Sequence, residues 1–290
     1  MINTNTKLNL IFGHPVAHSL SPKLHSQIYE QIGIADQFTF LASDIHPDHL
    51  DIAMASIKVL GINGLAVTIP HKVAIIDYLD DVDSTAMAIG AVNTVVNRNG
   101  ILYGYNTDWL GTLIPLANYY GVQIKNLQHI PRFLEGKKVA LIGAGGASRA
   151  MAFAVLMAGA ELYIFNRTKE TATILAQDMC EVMPFAKVQV FDDKLINSVY
   201  ACDIVINSTS LGMSPNQHET PVPKQWLHTG QVCFDAVYKP FETLFIQEAK
   251  AQGCEVILGL EMFLYQAVYQ FEYHTGHKPD IAKMREILSV

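Results

Sequence analysis

Short apolar runs alternate with amphipathic stretches from residue 8 to residue 79. Residues 8–12 (LNLIF), 37–42 (QFTFLA) and 64–69 (GLAVTI) read as strands. Between the first two, residues 21–33 (SPKLHSQIYEQIG) predict a helix, with Ser21 as N-cap, Pro22 at the first helical position and Gly33 as the stop. Residues 46–61 predict a second helix, because Leu50, Ala53, Ile57 and Leu60 are spaced for one buried face. This β-α-β-α-β order predicts a parallel sheet covered by helices. Residues 91–106 break the alternation with two β-rich runs around NRNG, where Asn99-Gly100 is a hairpin signal. A helix over 107–121 follows, then the aperiodic, proline-bearing stretch 122–136, which reads as a linker. A second alternating series predicts strands at 138–142, 161–165, 187–190, 203–206, 232–236 and 255–257. Its helices are expected at 146–158, 168–182 and 241–252, and two more, at about 260–275 and 279–289, close the chain.

The chain has 290 residues, more than one average domain, so two compact units are expected. Half the residues are hydrophobic and 16% are charged, which supports real cores. A net charge of −7 argues against a nucleic-acid or anionic-membrane partner, because phosphate neutralisation needs clustered Lys and Arg. Cys180, Cys202, Cys233 and Cys254 are scattered with no Cys-x-x-Cys, the pattern of reduced thiols in a cytoplasmic protein. The N-terminal apolar run is five residues, too short for a signal peptide. Residues 139–165 are largely apolar, but glycines near the start, Arg149 inside and Gly159-Ala160-Glu161 favour strand–turn–helix–strand over a membrane span. No heptad or exposed apolar stripe marks an interface, and the chain is expected as a monomer or homodimer.

Chemistry enters at the turns. In residues 138–168 an apolar strand ends at Gly143, Gly145 permits close backbone approach, and a helix begins. Free N–H groups and the dipole at that helix start favour a pyrophosphate. The next strand ends in Asn166-Arg167-Thr168 rather than an acidic residue, so a 2′-phosphate is favoured and NADP is expected over NAD. In the first half, Ser19 and Ser21 precede a helix and can donate to a polyol or carboxylate. His14, His18 and His25 lie close in sequence, but Pro15 and the lack of other ligand types nearby argue against a metal. Lys72 follows a buried strand that stops at Pro70. Asp108 opens a helix, where it could be only a cap or could meet Lys72 as a proton-handling pair.

Together HSLSP (18–22), VTIPHK (67–72), GAVNT (90–94), GYNTD (104–108), GAGGASR (143–149), NRT (166–168), NSTSLGM (207–213), DAVYKPFET (235–243) and GLEMFLYQAVYQFE (259–272) resemble the shikimate dehydrogenase family. Members reversibly reduce 3-dehydroshikimate to shikimate with NADPH, in the chorismate route to aromatic amino acids. The resemblance implies a two-domain α/β fold: residues 1–108 plus 260–290 as an α/β substrate domain, and residues 109–259 as a doubly wound Rossmann domain for NADP. The C-terminal helices would pack back on the substrate domain.

It further implies Lys72 as the acid–base lysine with Asp108 as partner. Ser19, Ser21, Thr68, Asn93, Tyr238 and Gln266 would hold the substrate's carboxylate and hydroxyls. Gly143, Ala144, Gly145, Gly146 and Ala147 would cradle the pyrophosphate, with Asn166, Arg167 and Thr168 at the adenosine end. Ser208, Thr209, Met213, Val237 and Gly259 would line the cofactor cleft. Two positions depart from the family pattern. Ala66 stands where Asn is usual, and Thr171 stands where a second basic residue is common, although Lys169 can substitute. These departures raise the alternative of a quinate/shikimate dehydrogenase using NAD or NADP. A non-catalytic NADP sensor would explain residues 138–170 and leave Lys72, Asp108 and the paired serines without a purpose.

Overall fold

The computed structural model describes residues 2–191 and 196–288. It divides into two compact units, Met1–Thr107 with Leu264–Val290, and Asp108–Phe263. In chain order the first unit carries β1 (Lys7–Gly13), α1 (Ser21–Gln31), β2 (Phe38–Asp44), α2 (Leu50–Leu60), β3 (Gly64–Val67), β4 (Asp81–Val82), α3 (Ser84–Ile89), β5 (Thr94–Arg98) and β6 (Ile101–Tyr105). The second carries α4 (Asp108–Tyr119), β7 (Lys138–Ile142), α5 (Gly146–Met157), β8 (Glu161–Phe165), α6 (Lys169–Val182), β9 (Val188–Val190), β10 (Ile204–Asn207), β11 (Val232–Asp235), α7 (Leu244–Ala251) and β12 (Glu255–Ile257). Helix α8 (Gly259–Thr275) begins in the second unit, and its residues from Leu264 belong to the first, as does α9 (Ile281–Leu288). Residue 289, the expected end of that last helix, lies outside the described residues.

The sheet of the first unit has the order β2-β1-β3-β5-β6-β4. Its β2-β1-β3 part is parallel, as the sequence predicts, whereas β3-β5 and β5-β6 are antiparallel. The hairpin at Asn99-Gly100 joins this same sheet and supplies its antiparallel part. Both turn residues take positive φ, 55° and 86°, the geometry that matches the right-handed twist of the flanking strands. Phe12, Met54, Leu65, Ile75, Val95 and Leu102 are among the buried core residues of this unit.

Helix α2 buries Leu50, Met54 and Ile57, while Leu60 is 70% exposed. At 100° per residue Leu60 lies about 80° to one side of Leu50 and Met54 about 40° to the other, so the buried face is turned toward Met54 and away from Leu60. The start of α1 differs too. Leu20, not Ser21, is the N-cap, and its carbonyl accepts the Leu24 N–H at 3.0 Å. The Ser21 N–H goes to the Ser19 hydroxyl at 3.2 Å.

The second sheet runs β12-β11-β10-β7-β8-β9, and its pairings are parallel. β7 is central, with chain order reversing beside it, the arrangement that opens a crevice at the strands' C-terminal ends. The stretch 122–136 has no helix or strand, lies wholly inside this unit and buries Leu134 completely. It is a largely exposed stretch within the unit, anchored at Leu134, rather than a connection between units.

Candidate active site

In the first unit, β1 and β3 are neighbours with Phe12 opposite Val67, so the loops leaving them emerge at one sheet edge. The β1 loop brings Ser19, half-buried, and Ser21, 3% exposed. The β3 turn brings Thr68 and Lys72, both half-buried. This turn is fixed on several sides. Thr68 N–H donates to Phe12 O at 2.9 Å, His71 N–H to Thr68 O at 2.9 Å, and Val92 N–H to Lys72 O at 2.8 Å. The buried His71 ring places Nε2 2.7 Å from Ile45 O, which ties the residue before Lys72 to the end of β2.

Asn93 joins the same edge, its carbonyl accepting the Val67 N–H at 2.7 Å. Its Oδ1 accepts from Thr107 N–H and Thr94 Oγ1, each at 2.8 Å, and its Nδ2 donates to Thr107 Oγ1 at 2.9 Å. Nδ2 also lies 3.5 Å from Gln266 Oε1, so the first unit brings Asn93 and Gln266 together. Gln270, one turn further along α8, donates to Asn93 O at 3.1 Å and to Thr94 Oγ1 at 3.0 Å. Helix α8 thus holds the polar cluster from near the opposite end of the sequence.

The second unit holds the remaining candidates. Asp108 is buried at the first turn of α4, where the helix dipole favours a carboxylate. The Tyr238 ring packs on Phe263, with centroids 4.7 Å apart.

At the glycine turn, Gly143 has φ +118°, and a Cβ there would lie 2.5 Å from Ser208 Oγ. Ser208 Oγ donates to Ile142 O at 2.7 Å, so in its 2.7 Å contact with Ser148 Oγ it is the acceptor. Ser148 Oγ in turn accepts the Gly145 N–H at 2.9 Å. Gly145 itself is exposed, and a Cβ on it would meet nothing within 4 Å. Nothing in the protein's own packing requires glycine there, whereas a pyrophosphate lying on the turn would. The residues present therefore fit a dinucleotide.

Arg167 and Thr168 are exposed at the end of β8, and Asn166 Nδ2 donates to Thr168 O at 2.9 Å. Ser208, Thr209 and Met213 follow β10, and Val237 follows β11, at the same edge as the glycine turn. Gly259 is forced by its surroundings: a Cβ would fall 2.3 Å from Val237 O.

Sequence reasoning missed the polar residues behind these loops. Asp235 is completely buried and accepts from Asn207 Nδ2 at 2.9 Å, Val237 N–H at 2.9 Å and Thr243 Oγ1. Burial pushes its carboxyl up to about 6 against the opposing pull of these donors. The signal was present, since Asn207, Asp235 and Thr243 all lie within the quoted motifs, but only their neighbours drew a role. Among the described residues no group of three or more His, Cys, Asp and Glu could hold a metal ion, and no helix is long and apolar enough to cross a membrane.

Comparison with known proteins decides the family. Residues 11–95 match the shikimate dehydrogenase substrate binding domain, 125–218 the shikimate / quinate 5-dehydrogenase family, and 259–288 the shikimate 5′-dehydrogenase C-terminal domain. The chain is 43% identical to a shikimate dehydrogenase (NADP(+)) of Moorella thermoacetica, over 99% of this chain and 94% of that protein. It belongs to the shikimate dehydrogenase family. Among solved structures, a shikimate dehydrogenase in complex with NADP+ superposes with a TM-score of 0.87 at 36% identity, covering 99% of this chain and 96% of that one. A quinate dehydrogenase from Corynebacterium glutamicum in complex with NAD gives 0.84 at 30% identity, covering 98% and 99%. Membership in this family accounts for the order in which the substrate-type and cofactor-type motifs follow one another.

Proposed function

We propose that the protein is an NADP-dependent shikimate dehydrogenase, reversibly reducing 3-dehydroshikimate to shikimate within chorismate and aromatic amino acid biosynthesis. The observation that carries this reading is the match to a protein of that name over 99% of the chain. The first unit, Met1–Thr107 with Leu264–Val290, is the substrate domain, a few residues from the expected 1–108 plus 260–290, and the second, Asp108–Phe263, is the NADP domain. The substrate is a small molecule rather than a nucleic acid, in keeping with a net charge of −7. The enzyme works in the cytoplasm as a monomer or homodimer, and no membrane or metal takes part.

Lys72 is the general acid. Its ammonium polarises the ring ketone and gives a proton to the emerging alkoxide, and in the oxidative direction it takes the proton back. Asp108 is its carboxylate partner and balances the ammonium's charge as the proton moves. Ser19, Ser21, Thr68, Asn93, Tyr238 and Gln266 hold the carboxylate and hydroxyls, so binding energy remote from the reacting carbon is spent on orientation. Gly143 to Ala147 receive the pyrophosphate, with Asn166, Arg167 and Thr168 at the 2′-phosphate. Ser208, Thr209, Met213, Val237 and Gly259 line the nicotinamide side. A bound nicotinamide supplies the hydride.

The test is steady-state kinetics of Lys72→Ala with shikimate and NADP. Loss of the positioned proton-transfer group, which accepts the hydroxyl proton in this direction, should lower kcat by about 10²- to 10⁴-fold, with KM for shikimate changed by only about threefold. A variant with near wild-type kcat would remove Lys72 from this role. Ala66 and Thr171 favour a second reading, a quinate/shikimate dehydrogenase using either NAD or NADP. The resemblance to a quinate dehydrogenase in complex with NAD supports it.

A further inference from the structure

Behind the cofactor-type loops, two segments that are separate in sequence share one buried hydrogen-bond network. Asn207, at the end of β10, accepts through Oδ1 from Thr209 N–H at 3.0 Å and from Thr209 Oγ1 at 2.7 Å. Its Nδ2 donates to Leu211 O at 3.2 Å and to Asp235 Oδ1 at 2.9 Å. Asp235, at the end of β11, accepts Val237 N–H on the same oxygen and Thr243 Oγ1 on the other. Thr243 Oγ1 also accepts Ile246 N–H at 3.3 Å, which caps α7. Side-chain packing closes the loop: Gly212 has φ +92°, and a Cβ there would meet Thr243 Cβ and Cγ2 at 3.0 Å each. Residues 208–213 and 236–243 are therefore one hydrogen-bonded body.

This body lies on a definite side of the glycine turn. The sheet order puts β10 and β11 on one side of β7, with β8 and its Asn166-Arg167-Thr168 end on the other. A dinucleotide with its pyrophosphate on the β7 turn and its adenosine over β8 has its other half over β10 and β11. We propose that Asn207, Asp235 and Thr243 are positioning residues that lock these two loops together and so fix the protein's surface for the nicotinamide half of NADP. This rests on the reading of the second unit as an NADP domain.

Residue choice supports the assignment. The groups facing Asp235 are all donors toward it, so a carboxylate, which accepts at both oxygens, is the group that satisfies them. Burial outweighs those donors and raises the carboxyl to about 6, so ionising this group near neutral pH works against stability. Stability is thus a poor reason for a carboxylate here, and holding two loops in register is a better one.

Calorimetric titration with NADPH and with 2′-phospho-ADP-ribose, which lacks the nicotinamide, tests the proposal. Thr243→Val removes a donor to Asp235. Asp235→Asn is isosteric and uncharged, so it relieves the desolvation cost while turning an acceptor into a donor. Both should weaken NADPH by about tenfold and leave the fragment within about twofold. Thr243→Ser should behave as wild type for both ligands. Equal weakening of NADPH and fragment, or unchanged NADPH affinity in both variants, would overturn the proposal while leaving the NADP reading standing. A wild-type protein that binds neither ligand would overturn both.

Discussion

Gly145 and Gly259 are glycines for opposite reasons. A Cβ at 259 would fall 2.3 Å from Val237 O, against backbone that cannot move cheaply, whereas a Cβ at 145 meets nothing within 4 Å. Gly259→Ala should therefore cost about 1–3 kcal/mol of stability through overpacking. Gly145→Ala should leave the urea midpoint nearly unchanged and weaken NADPH binding. Urea unfolding and calorimetry of both variants check this, and a Gly145→Ala protein with unaltered NADPH affinity would remove the turn from the cofactor site. At this scale the sequence was legible where backbone chemistry dictates residue type, as at Asn99-Gly100. It was less legible where hydroxyls have several uses. Ser21 resembles a helix cap, yet its N–H is taken by Ser19, and nothing local reveals that Leu20 occupies the cap position. Nor does local sequence reveal that Asp235 meets Asn207, which comes from a different segment.

Among the elements, α1, the β1–β2–β3 edge and α8 enclose a buried histidine pair. His25 is fully buried and stacks on Phe40 with ring centroids 4.3 Å apart, and neither ring nitrogen has a hydrogen-bond partner. Burial lowers its pKa to about 3, with His274 adding to the effect, and burial lowers His274 to about 4. Both folded-state values lie below the unfolded value, so the unfolded chain binds protons first. Stability is present above pH ~6.5 and is lost as pH falls toward the folded values. Between pH 7 and pH 5 each histidine should cost about 1–2 kcal/mol. His25→Phe keeps the stacking surface and removes one titration, so its urea midpoint should fall less than that of wild type over this range. An equal fall in the two proteins would contradict the assignment.

Periodicity made the longer elements legible, but β4 and α3 carried too little pattern. They form because Asp80 and Asp83 N–H groups pair with Leu102 O and Gly104 O, and because Asp83 Oδ1 caps α3.

At the scale of the whole molecule, the first unit is discontinuous: its last segment, Leu264–Val290, follows the entire second unit in the chain. No composition shift or linker marks that return, and the bottom-up reading placed a linker at 122–136, a stretch that lies within the second unit. Only the family resemblance implied that the C-terminal helices belong with residues 1–108. Gln266, Gln270 and His274 show why they do, reaching Asn93, Thr94 and Val95 in the first sheet. The fold class and the glycine turn were thus open to inference from short segments, whereas the polar cluster around Asn93 needs residues about 170 positions apart.

The activity as a whole is tested most directly by nicotinamide absorbance with the wild-type protein. Shikimate and quinate are offered in turn, each with NADP and with NAD. Shikimate with NADP should give the highest kcat/KM of the four pairs. No turnover with any pair, or a higher kcat/KM for quinate with NAD, would contradict the assignment.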